Sequence, residues 1–240
     1  MAGNVNALYY DMTINGKPLE NFGGASLQDY TVSAPTITTH DFQGINRTSW
    51  RLLKQEFGRR TIEIGIVFKG INLEAARLQL SAFNAECWGR VSIAMPDGFI
   101  YDCRIDSMGS AEIKGDDGGN NAQIQARYTF VGQQTKPKET VTIPAGGGTV
   151  FCKSTMPLTD CRLTTTVGAN AVTYAFGGAV FNDVEAGDVL VFDGIDGLIL
   201  RNGVNDAANV NWTHFPSLTA GANELTVIDA ATVEYYPTFI

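Results

Sequence analysis

The sequence predicts a mainly β protein of two domains, with a single α-helix in the first. Three observations carry that expectation. Short runs rich in Val, Ile, Thr, Tyr and Phe recur along all 240 residues, separated by Gly, Asn and Asp. Only residues 72–89 place apolar side chains at helical spacing. The charge of −8 is uneven: residues 1–136 hold 13 Lys and Arg against 14 Asp and Glu, whereas 137–240 hold 4 against 11. A hydrophobic content of 44% is enough to bury a core and too high for a disordered chain.

The elements follow in order. Leu8 to Ile14, the dipeptide Asn15-Gly16 and Lys17 to Leu19 read as a hairpin, because Asn-Gly supplies the positive φ angles of a type I′ turn. Residues 22–30 enter a new strand, and 31–39 are β-rich with Pro35 marking an edge or a break. Residues 49–57 and 60–69 are expected to pair with one another around Gly58. Asn72 is suited to cap the helix and Gly89 to end it, with Leu73, Ala76, Leu80, Phe83 and Cys87 forming its apolar stripe. Residues 91–95 and 99–108 form a second hairpin around Pro96-Asp97-Gly98, and 122–132 alternate again. Residues 114–122, with two Asp, three Gly and two Asn, read as a loop. Residues 133–148 have the Pro, Lys and Gly content of a linker and turn, which sets the domain boundary near 137. Beyond it, runs at 162–167, 171–176, 188–194, 198–203, 223–228 and 232–240 suggest a β-sandwich of jelly-roll type.

Chemical motifs are scarce. Only His40 and His214 are available as imidazole bases, and no G-x-S-x-G elbow accompanies His40-Asp41. Cys87, Cys103, Cys152 and Cys161 form no C-x-x-C pair and read as reduced, mostly buried thiols, although Cys152 and Cys161 are close enough in sequence to close a small loop. Asp193-Gly-Ile-Asp196-Gly and Asp116-Asp117-Gly offer oxygen ligands without EF-hand spacing, so turn chemistry explains them better than calcium. Neither a phosphate-binding glycine loop nor an apolar run of spanning length is present. The first residues lack the basic and apolar regions of a signal peptide, and Asn46-Arg-Thr48 and Asn211-Trp-Thr213 read as chance glycosylation matches. Trp212, His214, Phe215, Tyr235 and Tyr236 are candidates for a glycan or partner platform, set against the simpler reading that large aromatics fill a core. The basic stretch SWRLLKQEFGRR splits its charges between two strand faces, with Glu56 and Glu63 nearby, which favours cross-strand ion pairs over a phosphate reader.

In order, YYDMTINGKPL, FGGASLQDY, SWRLLKQEFGRRTIEIGIVFKG, one helix, VSIAMPDGFIYDCRIDSMG and a strand ending ARYTFVG resemble the N-terminal domain of the distal tail proteins of long-tailed (siphovirus-type) bacteriophages and prophages. CKSTMPLTDCRLTTTV, AGDVLVFDGIDGLILRNG, HFPSLTAGANELTV and ATVEYYPTFI are similar to the C-terminal galectin-like jelly-roll of the same family. The resemblance implies a ring-forming N-terminal β-sandwich or split-barrel domain with one α-helix over 1–136. It implies a galectin-like β-sandwich over 137–240 that projects outward as an attachment platform. It further implies a structural virion protein at the tail tip, made in the host cytoplasm, without catalytic residues, cofactor or membrane insertion. Six copies would form a ring between the tail-tube protein and the tail-associated hub protein, with receptor-binding components held by the outer domain in some phages. A ring that conducts DNA gains from a wall that does not grip phosphate, and the charge balance agrees with an absence of sequence-specific nucleic-acid binding. Trp50, Arg51, Arg59 and Arg60 are the expected ring contacts, with the 114–122 loop a second candidate for docking a tail protein. A carbohydrate-binding module is the main alternative, and a tail-tube protein a further one that the second domain argues against.

Overall fold

The computed structural model describes residues 12–43, 50–115 and 122–240, and the side chains of Gln43, Trp50 and Arg51 lie outside that description. So do the first part of the expected hairpin (8–11), the Asn46 motif and the 116–121 loop. The chain forms two compact units, the first ending at Thr135 and the second running Lys136–Phe239.

The first unit is built on one antiparallel sheet. Its strands are β1 (Thr13–Ile14), β2 (Lys17–Pro18), β3 (Ser26–Val32), β6 (Arg60–Gly70), β7 (Arg90–Ala94), β8 (Ile100–Met108) and β10 (Ala122–Thr135), in the order β2-β1-β7-β8-β10-β6-β3. β9 (Glu112–Gly115) also pairs with β10, beside its N-terminal end, while β8 takes the C-terminal end. The Asn15-Gly16 turn forms as expected, with φ of 50° and 75°. The Asn15 side chain then ties the turn down: its Oδ1 accepts from Ser92 N, and its Nδ2 donates to Glu86 O and Oε1.

The helix α1 (Leu73–Glu86) starts at Asn72, whose Oδ1 accepts the Ala75 N–H at 2.8 Å. It ends before Gly89, which takes φ +84°. Ala76, Phe83 and Cys87 are fully buried against β6 and β10, and Leu73 and Leu80 pack at the margin. Phe83 anchors the layer, with ring centroids 5.3 Å from Phe22, 5.6 Å from Phe68 and 5.0 Å from Tyr128. Tyr128 spends its hydroxyl on Asn84 Oδ1 at 2.7 Å, so its burial leaves no polar atom unpaired.

Two strands stand apart from this sheet. Among the described residues, β4 (Ile37–Gln43) and β5 (Trp50–Phe57) pair only with each other. The expected pairing of 49–57 with 60–69 is therefore corrected: β6 lies between β3 and β10, and β5 lies against β4. The reason is local. A tight hairpin needs positive φ, and Gly58 does not adopt it. Instead the chain runs straight on, with Ser33 N bonded to Thr61 O, Thr36 N to Arg59 O and Gly58 N to Thr36 O. The β3–β6 pair thus continues into the β4–β5 ribbon as one long arm, broken where Pro35 has no N–H to give.

The second unit is a β-sandwich of jelly-roll type. One sheet comprises β11 (Glu139–Ile143), β13 (Leu158–Thr166), β16 (Val189–Asp193), β17 (Leu198–Arg201), β18 (Val204–Asn205) and β22 (Ala231–Tyr235), in the order β11-β22-β13-β16-β17-β18. Across the core lie β12 (Gly148–Cys152) with β21 (Gly221–Leu225), and β14 (Ala171–Phe176) with β15 (Ala179–Val184) and β19 (Val210–Asn211). β20 (Ser217–Thr219) extends β13. Val150, Tyr174, Phe176 and Phe181 from one layer meet Leu163, Leu190, Phe192 and Val233 from the other. All four cysteines are free and buried. Burial pushes the thiols of Cys87, Cys103 and Cys161 up to about 12.

Candidate interaction surfaces

The ribbon is the site where the sequence-derived ring contacts converge. On β5 the backbones of Trp50 and Arg51 pair with Gln43 and Phe42. Arg59 is exposed at the root of the ribbon. Arg60 behaves differently from its neighbour. It is half-buried, opens β6 opposite Gly132, and donates from Nη1 to Ser33 O at 2.9 Å, so it clamps the joint of the arm. Among the described residues of this stretch no cross-strand ion pair forms. Lys54 pairs with Glu56 along its own strand, because β4 sets only His40 and Thr38 opposite them.

Register on the ribbon departs from simple alternation. His40 pairs with Lys54 and Asp41 with Leu52, which leaves Leu53 as an extra residue on β5. Such a bulge interrupts the two-residue period. The simple split of this stretch between two strand faces therefore breaks at Leu53.

Burial sets the ribbon apart. Ile37, Phe42, Leu52 and Leu53 are 48–65% exposed. Every described side chain from Thr38 to Phe42 and from Leu52 to Glu56 is exposed, so neither face of this part of the ribbon is covered among the described residues. Two-stranded ribbons are marginal alone in water, and exposed apolar side chains in a cluster mark contact surfaces.

A second exposed apolar surface was not legible in the helical stripe. Ile71, Leu78 and Trp88 are 66–82% exposed. Leu78 stands on the side of α1 opposite Phe83, among Ala75, Ala82 and Ala85. The signal was present in the sequence as Leu at an off-stripe position and Trp just past the helix end.

In the second unit the aromatic platform is smaller than its sequence suggested. Tyr235 is corrected to a core residue: it is 1% exposed, donates its hydroxyl to Phe151 O and accepts from Lys153 N. Trp212 is 40% exposed and tilts over Phe215, 4.6 Å between centroids, and Phe215 rests on Phe192 of the core. His214 is exposed, with Nδ1 2.9 Å from Thr213 Oγ1. Tyr236 is exposed and has no ring contact with them.

The Asp193–Asp196 segment is a turn, as its Gly content suggested. Asp193 Oδ1 accepts from Ile195 N and Asp196 N, and its Oδ2 accepts from Arg162 Nε at 2.7 Å. Arg162 also reaches Asp196 and, at 3.7 Å, Glu234. The Asp193 hydrogen bond holds the Arg162 pKa above its ordinary value. Among the described residues no group of three or more His, Cys, Asp or Glu is placed to hold a metal ion, and no helix is long and apolar enough to cross a membrane.

No family model matches the chain, and no curated protein matches it by sequence. Solved structures do match. The SPP1 Dit (gp 19.1) protein, described as a paradigm of the hub adsorption apparatus in phages infecting Gram-positive bacteria, superposes with a TM-score of 0.67 at 14% identity, covering 97% of this chain and 99% of that one. The phage P2 baseplate in its activated conformation matches twice. With calcium the TM-score is 0.55 at 10% identity, covering 92% of each chain; with strontium it is 0.55 at 9%, covering 91% and 92%. At these identities the shared property is the fold, across both units.

Proposed function

We propose that this chain is a structural subunit of a phage tail tip, a distal tail protein whose copies associate head-to-tail into a six-fold ring between the tail tube and the tail-tip hub. The single observation that carries the reading is the end-to-end structural likeness to the SPP1 Dit protein: both units match, in order, with almost no residue of either chain left over. The uncovered ribbon supports it, since a subunit built to close a ring must present surface that only a neighbour can bury. In this reading the first unit (residues 1–136 by sequence) forms the wall around the DNA passage, and the second (137–240) projects as an attachment platform. Its contacts are protein–protein, with the tail-tube protein, the hub protein and, through the outer unit, receptor-binding components. No step of this role requires catalysis.

The test is the solution mass by light scattering over a range of concentrations, followed by imaging. A species of six times the 25.8 kDa chain, seen as a ring with a central hole, is the expected result. A chain that stays monomeric alone and with its tail-tube and hub neighbours overturns it. Replacing Arg51 and Arg59 together by Glu is expected to abolish the ring and leave the monomer folded.

A second reading concerns the outer unit alone. Trp212, held half-exposed over Phe215, offers the flat aromatic face on which a sugar ring stacks. Glycan-array binding that Trp212→Ala removes from a folded protein supports it; no binding by the intact chain sinks it.

A further inference from the structure

The ring reading leaves open what covers the ribbon, and the following inference rests on that reading. We infer that the β4–β5 ribbon of one copy lies along the outer face of α1 of a second copy. Four observations lead there.

First, the exposed apolar side chains of the first unit fall largely into two groups. Ile37, Phe42, Leu52 and Leu53 lie on the ribbon, and Ile71, Leu78 and Trp88 lie along the helix. Second, the two surfaces are of similar length. Fourteen helical residues extend about 21 Å. Eight strand residues extend roughly 26 Å. Third, the helix face is flat. Ala75, Ala82 and Ala85 flank Leu78 at its own helical spacing, so a ribbon can approach the helix closely. Fourth, each surface carries an exposed charge that forms no ion pair among the described residues. Arg59 stands at the ribbon root and Glu74 in the first turn of the helix, while Arg77 lies about a quarter-turn to the side.

The two surfaces belong to one chain and differ from each other. Every copy therefore gives one and receives the other, which is a heterologous contact that propagates and closes into a ring when the rotation allows. A symmetric ribbon-to-ribbon dimer would instead leave the helix face open. Met108 and Ile113 form a smaller exposed pair near β9 and are the competing cover.

The experiment uses full-length chains with one added surface cysteine, Leu53→Cys or Leu78→Cys, mixed and treated with a short bismaleimide. The four native thiols are buried and stay silent. The expected result is a covalent dimer in the mixture and none with either variant alone. The double variant should give a ladder up to ring size. A dimer from Leu53→Cys alone overturns the inference, and so does a product with Ile113→Cys but none with Leu78→Cys. Rings seen by light scattering without the Leu53–Leu78 product overturn it while the ring reading stands. A chain that is monomeric and gives no product both alone and with its tail-tube and hub neighbours overturns both. Leu52→Cys and Ala82→Cys probe the same pairing should either first variant fail to fold.

Discussion

Two hairpins of this molecule begin from similar sequence and end in opposite circumstances. The β14–β15 hairpin turns through Gly177 and Gly178 at φ of 61° and 91°, and buries Tyr174, Phe176, Phe181 and Val184 in the core of the second unit. The β4–β5 ribbon is of like length, yet buries none of its described side chains. The difference lies in cover. β14–β15 lies across a sheet of its own unit, whereas β4–β5 continues past the edge of its sheet, beyond Pro35 and Gly58. Local strand signals specify the pairing of two segments; they do not specify whether a core lies beneath.

The largest loss is expected from Phe181→Ala. The side chain is fully buried, so the loss is expected to reach about 3–5 kcal/mol, read as a lower unfolding midpoint of the second unit in denaturant. Next is Asp193→Ala, which strips Arg162 of its buried partner and opens the turn to Asp196. Arg162 is partly exposed and keeps Asp196, so the expected cost is roughly 2 kcal/mol in the same melt. Asn72→Ala removes the cap of α1 and is expected to cost about 1 kcal/mol in the first unit. At the other extreme stands Leu53→Ser. With most of its side chain already exposed, its monomer melt should move by less than about 0.5 kcal/mol, while its oligomer mass falls. A large loss of monomer stability in Leu53→Ser would remove the distinction between the two hairpins.

Much of the fold was readable because its signals are local. The Asn15-Gly16 turn, the Asn72 cap, the Phe83 face of the helix and the Pro96-Asp97-Gly98 turn each depend on residues a few positions apart. What was not readable depends on distant partners. Glu139 to Ile143 resembles a linker until β22 supplies the ladder that makes it β11. Gly148 to Cys152 and Ala179 to Val184 likewise become strands through pairing and burial that no short window contains. The same limit applied to the site. Arg60 and Tyr235 carry the residue types of a contact surface, but a carbonyl of Ser33 and the backbone around Phe151 hold them inside the fold. Leu78 breaks the apolar stripe of its helix, and that break is the informative part.

The surplus residue Leu53 also works as a phase setting. Beyond it on β5, Leu52 stands half a repeat out of step with the residues nearer Phe57. Deleting that one residue would leave composition and charge almost untouched, yet would remove the bulge's bend and added twist and so re-aim the far end of the ribbon. A molecule whose assembly depends on that end can thus be retargeted, or disabled, by a single-codon deletion that no measure of overall hydrophobicity would register.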